Sequence, residues 1–117
     1  MNSIIGLGKW MLAIPMLAFG VMHFMNADKM AAMAPGGSIM VYVAGLALVL
    51  AAIAIIIGKY DKLAAFLLGI LLLLFIIPHA QNLSANEMEM GNILKNIALA
   101  GGAFLYASMA KDNSVIG

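Results

Sequence analysis

The sequence predicts an all-α protein, a membrane-spanning up-down-up-down four-helix bundle that forms a single domain over residues 1–117. The composition indicates an integral membrane protein, because a chain that is 65% hydrophobic and only 9% charged has more apolar surface than a water-soluble core can cover. Four apolar runs have the length of roughly 20 residues that crosses a hydrocarbon core of about 30 Å. Short connections between these runs favour antiparallel neighbours.

The predicted spans cover residues 4–25, 39–58, 63–80 and 91–110, and the short connection between the second and third is residues 59–62. Near the start of the first span, Lys9 can reach the headgroups along its methylene stem. We expect this span to be retained rather than cleaved as a signal peptide, because Gly36 and Gly37 after it belong to a turn and three more spans come after it.

Lysine positions predict the orientation, since positive residues are retained on the cytoplasmic side. With the N-terminus inside, four lysines lie on the inner side and two on the outer side. The inner lysines are Lys9, Lys59, Lys62 and Lys111, and the outer ones are Lys29 and Lys95. We therefore expect a multi-pass protein whose N- and C-termini are both cytoplasmic.

The only two histidines, His23 and His79, close the first and third spans. These spans run in the same direction, so both imidazoles are expected at the same outer face of the membrane. In the fourth span, Asn92, Lys95 and Asn96 fall on one helical stripe, and polar groups at membrane depth should face protein or water. The sequence thus predicts an outer-face ligand pocket built from these five residues.

Simpler interpretations of the same residues stay open. The histidines could do no more than form hydrogen bonds at two helix ends, and Lys95 could extend outward to the interface beside Glu89. Three other residues have predicted structural roles. Gly20 allows a close helix approach beside His23, Pro35 ends the first connection, and Pro78 frees a backbone carbonyl one turn earlier.

The ligand of the pocket is not fixed by the sequence. A quinone, a lipid headgroup or a small anion could be held by hydrogen bonds, and these are the ligands we expect first. Two further alternatives are a haem held by both histidines and a copper ion on soft ligands; the copper ligands would be His23, Met25, His79, Met88 and Met90. With no cysteine in the chain, thiolate chemistry is excluded.

Several stretches of the chain resemble the DoxX family of small four-helix bacterial membrane proteins. They are FGVMHF at residues 19–24, MAAMAP at residues 30–35, a third span that ends in His-x-x-Asn, and LKNIALAGGAFL at residues 94–105. The resemblance covers nearly the whole chain and is most specific in the last stretch. It implies a location in the bacterial inner membrane and a link to membrane redox metabolism.

Position by position, the family pattern matches Lys9, Gly20, His23, Pro35 and Lys95 in this sequence. Many relatives carry an acidic residue in the second span, and this chain has none there. Mechanisms that use such a carboxylate are therefore not expected here.

These observations predict a DoxX-like accessory or quinone-associated subunit of a membrane redox complex. No catalytic constellation is present, so any part in catalysis would be as a subunit of a quinone-linked oxidoreductase. Two alternatives stay open, namely a small transporter or ligand- and metal-binding bundle, and a purely structural subunit. The expected partners are membrane lipid and other membrane subunits, with no nucleic acid.

Overall fold

The computed structural model describes residues 2–30, 36–81, 88–110 and 112. Throughout these residues the chain is helical and forms no strand, which confirms the all-α prediction for this part of the chain. Pro35 lies outside the described residues. The helices are α1 (Asn2–Ile5), α2 (Gly8–Met25), α3 (Ala27–Met30), α4 (Gly37–Ile57), α5 (Asp61–Leu74), α6 (Ile76–Gln81) and α7 (Met88–Met109).

Three helical stretches are long and apolar enough to cross a membrane, namely Ser3–Met25, Gly37–Ile57 and Asp61–Gln81. They correspond to the first three predicted spans. The fourth predicted span corresponds to α7, whose 22 residues also have sufficient length. It is not among the three, and the polar residues Asn92, Lys95 and Asn96 in its first half make it less apolar than the others.

The long helices pack in chain order, α2 against α4, α4 against α5 and α5 against α7, with a lighter contact between α7 and α2. Their shared core is rich in alanine, which lets the helix backbones approach one another closely. Its most buried members are Ala13, Met16, Leu48, Ala52, Ile55, Ala65, Leu68, Ala100 and Ala103. Many large apolar side chains point outward instead, as expected of helices that face lipid.

Two glycines set the closest approach between α2 and α4. A Cβ atom added to Gly20 would lie 2.9 Å from the carbonyl oxygen of Gly45, and one added to Gly45 would lie 3.0 Å from that of Gly20. The Cβ atom added to Gly45 would also lie only 2.8 Å from the Cβ atom of His23. The absence of side chains at these two positions therefore places His23 directly against α4.

The third apolar stretch is interrupted at Phe75, between α5 and α6. Three residues later comes Pro78, which has no backbone N–H and whose ring crowds the carbonyl four residues earlier, at Leu74. The interruption falls at the position that this proline predicts. α6, which carries His79, follows this interruption.

Candidate functional site

His23 lies in the last turn of α2, where its imidazole ring forms one hydrogen bond and one stacking contact. Its Nδ1 atom is 2.6 Å from the carbonyl oxygen of Phe19. A carbonyl can only accept, so Nδ1 carries the hydrogen and Nε2 is the nitrogen left for a ligand. The ring stacks on Phe75, with 5.8 Å between centroids and 22° between planes.

His79 is held in a similar way on α6. Its Nδ1 atom pairs with the Oε2 atom of Glu89 at the start of α7, and the Glu89 side chain is buried. A carboxylate accepts the Nδ1 hydrogen, which again leaves Nε2 for a ligand. Both imidazoles are therefore oriented by a hydrogen bond at Nδ1. The partner at that nitrogen fixes the tautomer and the direction in which Nε2 points.

Lys95 extends from α7 toward α2. Its Nζ atom lies 5.4 Å from the centroid of the Phe19 ring, within the range of a cation–π interaction. In the described part of the chain Lys95 forms no ion pair, because Glu89 is paired with His79. Lys95 is exposed, so the interpretation that it extends to the interface stays open beside this contact with an aromatic ring.

Asn96 has a different position from the one that a pocket lining requires. Its side chain is only 4% exposed, and its Nδ2 atom donates to the carbonyl oxygen of Leu72 over 3.4 Å. It therefore joins α7 to α5 inside the bundle. Asn92, one turn earlier, is half-buried.

Six residues lie toward one end of the helices, and we call them the histidine cluster: Phe19, His23, Phe75, His79, Glu89 and Lys95. Contacts connect four of them, from Lys95 through Phe19 and His23 to Phe75. His79, one helical turn after Phe75 in the chain, forms a separate pair with Glu89. The three ionisable residues predicted for the pocket, His23, His79 and Lys95, are all members.

Sequence reasoning missed the aromatic half of the cluster. Each histidine follows a phenylalanine by four residues, as Phe19-x-x-x-His23 in α2 and Phe75-x-x-x-His79 across α5 and α6. Residues four apart share a helix face, so this spacing was a signal that Phe19 lies on the His23 face of α2, although the ring that stacks on His23 is Phe75 from a different helix. The pairing of Glu89 with His79 had no comparable signal.

Three of the predicted copper ligands are exposed methionines. Met25 and Met88 are 76% and 78% exposed, and Met90 is also exposed. Across residues 2–30, 36–81 and 88–110, no three His, Asp or Glu side chains lie close enough together to hold a metal ion. Lys9 lies far from this cluster in sequence, and its Nζ is 5.6 Å from the centroid of the Trp10 ring.

No family model matches the chain, and no curated protein or solved structure matches it. The resemblance to the DoxX family therefore rests on the sequence stretches described above and stays a prediction. A functional inference has to come from the histidine cluster itself.

Proposed function

We propose that this chain is a DoxX-like membrane protein that crosses the bilayer four times and serves as an accessory, quinone-associated subunit of a membrane redox complex. The histidine cluster would hold the quinone headgroup. One observation carries the proposal: two imidazoles, each held through Nδ1, lie at the same helix ends as two phenylalanine rings and a lysine.

The chemistry of these groups suits a quinone. A quinone headgroup is a flat ring with two carbonyl oxygens that accept hydrogen bonds, attached to an apolar tail that the bilayer can take up. A protonated His79 could donate from Nε2 to a quinone carbonyl, whereas a neutral one could accept from a quinol hydroxyl. Phe75 offers a face for stacking.

Reduction of a quinone to a quinol takes up two electrons and two protons. The His79–Glu89 pair is a suitable proton donor and acceptor, because imidazole and carboxylate groups both transfer protons in general acid–base chemistry. The electrons would come from a partner subunit, which is why an accessory role is proposed rather than an independent enzyme. A bacterial inner membrane location follows from the same resemblance.

The fourth crossing is proposed for α7. Its polar Asn96 is turned inward against α5, and Ala100, Ala103 and Ala107 continue the buried face along the helix. Of the polar stripe, Lys95 is exposed and near enough to the helix end to reach the interface along its methylene stem. A helix that buries the rest of its polar groups at least in part can cross a bilayer although its composition is less apolar. With four crossings, the lysine distribution favours cytoplasmic N- and C-termini.

The proposed function is tested by measuring quinone in the protein purified from bacterial membranes in a mild detergent. We expect copurifying quinone in the unmodified protein. His79→Asn and Glu89→Gln should each lower its occupancy about tenfold, the effect of losing one hydrogen bond to a charged group. Gln81→Asn, an exposed change on the same helix α6, is the matched control and should keep the quinone.

Two results would count against the proposal. One is a protein that never carries quinone, even after reconstitution in vesicles that contain it. The other is equal occupancy in His79→Asn, Glu89→Gln and the control. A visible spectrum of the same sample tests the haem alternative, which requires a Soret band.

A further inference from the structure

An apolar groove runs between α4 and α5 on the outside of the helices. It has a volume of about 480 Å³ and is lined mainly by alanine and leucine. We call it the α4–α5 groove; its lining includes Ala47, Leu50, Ala54, Tyr60, Leu67 and Leu74. Leu50, Leu67 and Leu74 are each more than half exposed, so the groove opens toward the space that lipid would fill.

Only one end of the groove is polar, and this end is formed by the turn between α4 and α5. Tyr60 supplies the polar group in the lining, and the Nζ atom of Lys59 is 5.9 Å from the centroid of its ring. Lys62 lies in the first turn of α5. The groove therefore has an aromatic and cationic mouth and apolar walls.

The acid between these two lysines is buried and directed toward α7 rather than toward them. Asp61 is only 2% exposed, and its carboxylate accepts from the Tyr106 hydroxyl at 2.8 Å and from the Asp112 backbone N–H at 3.1 Å. Within the described residues, neither Lys59 nor Lys62 forms an ion pair. The other nearby acid, Asp112, accepts a hydrogen bond from the backbone N–H of Tyr60 at 2.6 Å.

We propose that the α4–α5 groove binds an anionic phospholipid, with one acyl chain along the groove and the phosphate at Lys59 and Lys62. A phospholipid has its charge at one end and its apolar chain along the rest, which is the distribution that the groove presents. The 14 residues of α5 extend for about 21 Å. This exceeds half of a hydrocarbon core of about 30 Å, so the groove is long enough for a chain from one leaflet.

Native mass spectrometry of the whole protein in detergent tests this inference. The probes are phosphatidylglycerol and phosphatidylcholine with identical acyl chains, added in equal amounts. We expect the unmodified protein to retain the anionic lipid preferentially. The combined change of Lys59→Gln and Lys62→Gln should reduce this preference about tenfold, because each lysine near a lipid surface contributes a substantial electrostatic attraction.

Two matched controls distinguish the effect of the lysine charges from the effect of the groove's width. Lys9→Gln with Lys29→Gln removes the same charge away from the groove and should leave the preference unchanged. Ala54→Leu narrows the groove and should lower retention of both lipids, whereas Ala98→Leu on an exposed part of α7 should not.

Equal retention of the two lipids by the unmodified protein would overturn the inference. So would a lipid preference that neither the mouth lysines nor Ala54→Leu alters. A dimer that Ala54→Leu dissociates without changing lipid retention would assign the groove to a second copy of the chain instead.

Discussion

The Tyr106 hydroxyl donates a hydrogen bond of 2.8 Å to the Oδ2 atom of Asp61, which joins the last turns of α7 to the first residue of α5. The other carboxylate oxygen of Asp61 accepts from the backbone N–H of Asp112. This buried carboxylate fastens the C-terminal end of α7 to the α4–α5 turn. It lies at the opposite end of α5 from the histidine cluster.

Loss of the Tyr106 hydroxyl should therefore destabilise the fold. Tyr106→Phe leaves the buried Asp61 carboxylate with one hydrogen-bond donor fewer, and we expect the free energy of unfolding to fall by about 1 to 3 kcal/mol. Unfolding by SDS titration in mixed micelles measures this change. Tyr42→Phe, which removes a hydroxyl from an exposed side chain of α4, should have almost no effect, and equal stabilities of the two variants would contradict the assigned role.

The crossing of α2 and α4 should be sensitive to a single methyl group. In Gly20→Ala the new Cβ would lie 2.9 Å from the Gly45 carbonyl oxygen, so the two backbones must separate. We expect a loss of about 1 to 3 kcal/mol and a change in the environment of His23. The same SDS titration measures the loss of stability, and the histidine resonances in NMR spectra report the change around His23.

Gly102→Ala is the matched control for this crossing, because nothing lies within 4 Å of a Cβ added there. It should leave stability unchanged or raise it by up to about 1 kcal/mol, as alanine is the better helix former. A Gly20→Ala protein as stable as this control would show that the close approach is not needed.

Asn96 should contribute to the packing of α7 on α5. Asn96→Ala removes the hydrogen bond to the Leu72 carbonyl, and we expect a loss of about 0.5 to 1.5 kcal/mol, the range found for polar contacts between membrane helices. Asn92→Ala serves as the control, because the Asn92 side chain forms no hydrogen bond with a described residue. Similar losses from the two changes would argue against a specific contact.

The proposed four crossings and their orientation can be tested by cysteine labelling, because the chain contains no cysteine. Ser3→Cys, Ser38→Cys and Ser108→Cys are made one at a time and treated in intact cells with a membrane-impermeant maleimide. Only Ser38→Cys should react from outside, and the other two should react after the membrane is opened. Reaction of Ser108→Cys from outside together with Ser38→Cys would mean that α7 does not cross the membrane.

The histidine cluster shows how far sequence reasoning reached. Two spans that run in the same direction bring His23 and His79 to one end, but the ring that stacks on His23 is Phe75 from a different helix, which helical spacing does not indicate. The partner of Glu89 was not predictable, because it depends on how α6 packs against α7. Helical spacing carries no information about contacts between two different helices.

The α4–α5 turn shows where sequence reasoning failed. Residues 59–62 read as a short polar connection, yet Asp61 is the first residue of α5 and is buried. Its partner Tyr106 lies 45 positions away, and no local pattern links the two. Only the docking of α7 on α5 brings them together.

The amino-acid sequence alone determined that the chain is helical and apolar enough for a membrane, because hydrophobic length and composition are local properties that each segment carries by itself. The tertiary structure decided which polar groups meet: His79 with Glu89, Lys95 with the Phe19 ring and Asp61 with Tyr106. These pairs depend on helix crossings set by glycine contacts, a proline interruption and close alanine packing. Contacts of that kind arise between distant segments, so they become definite only when the helices are packed together.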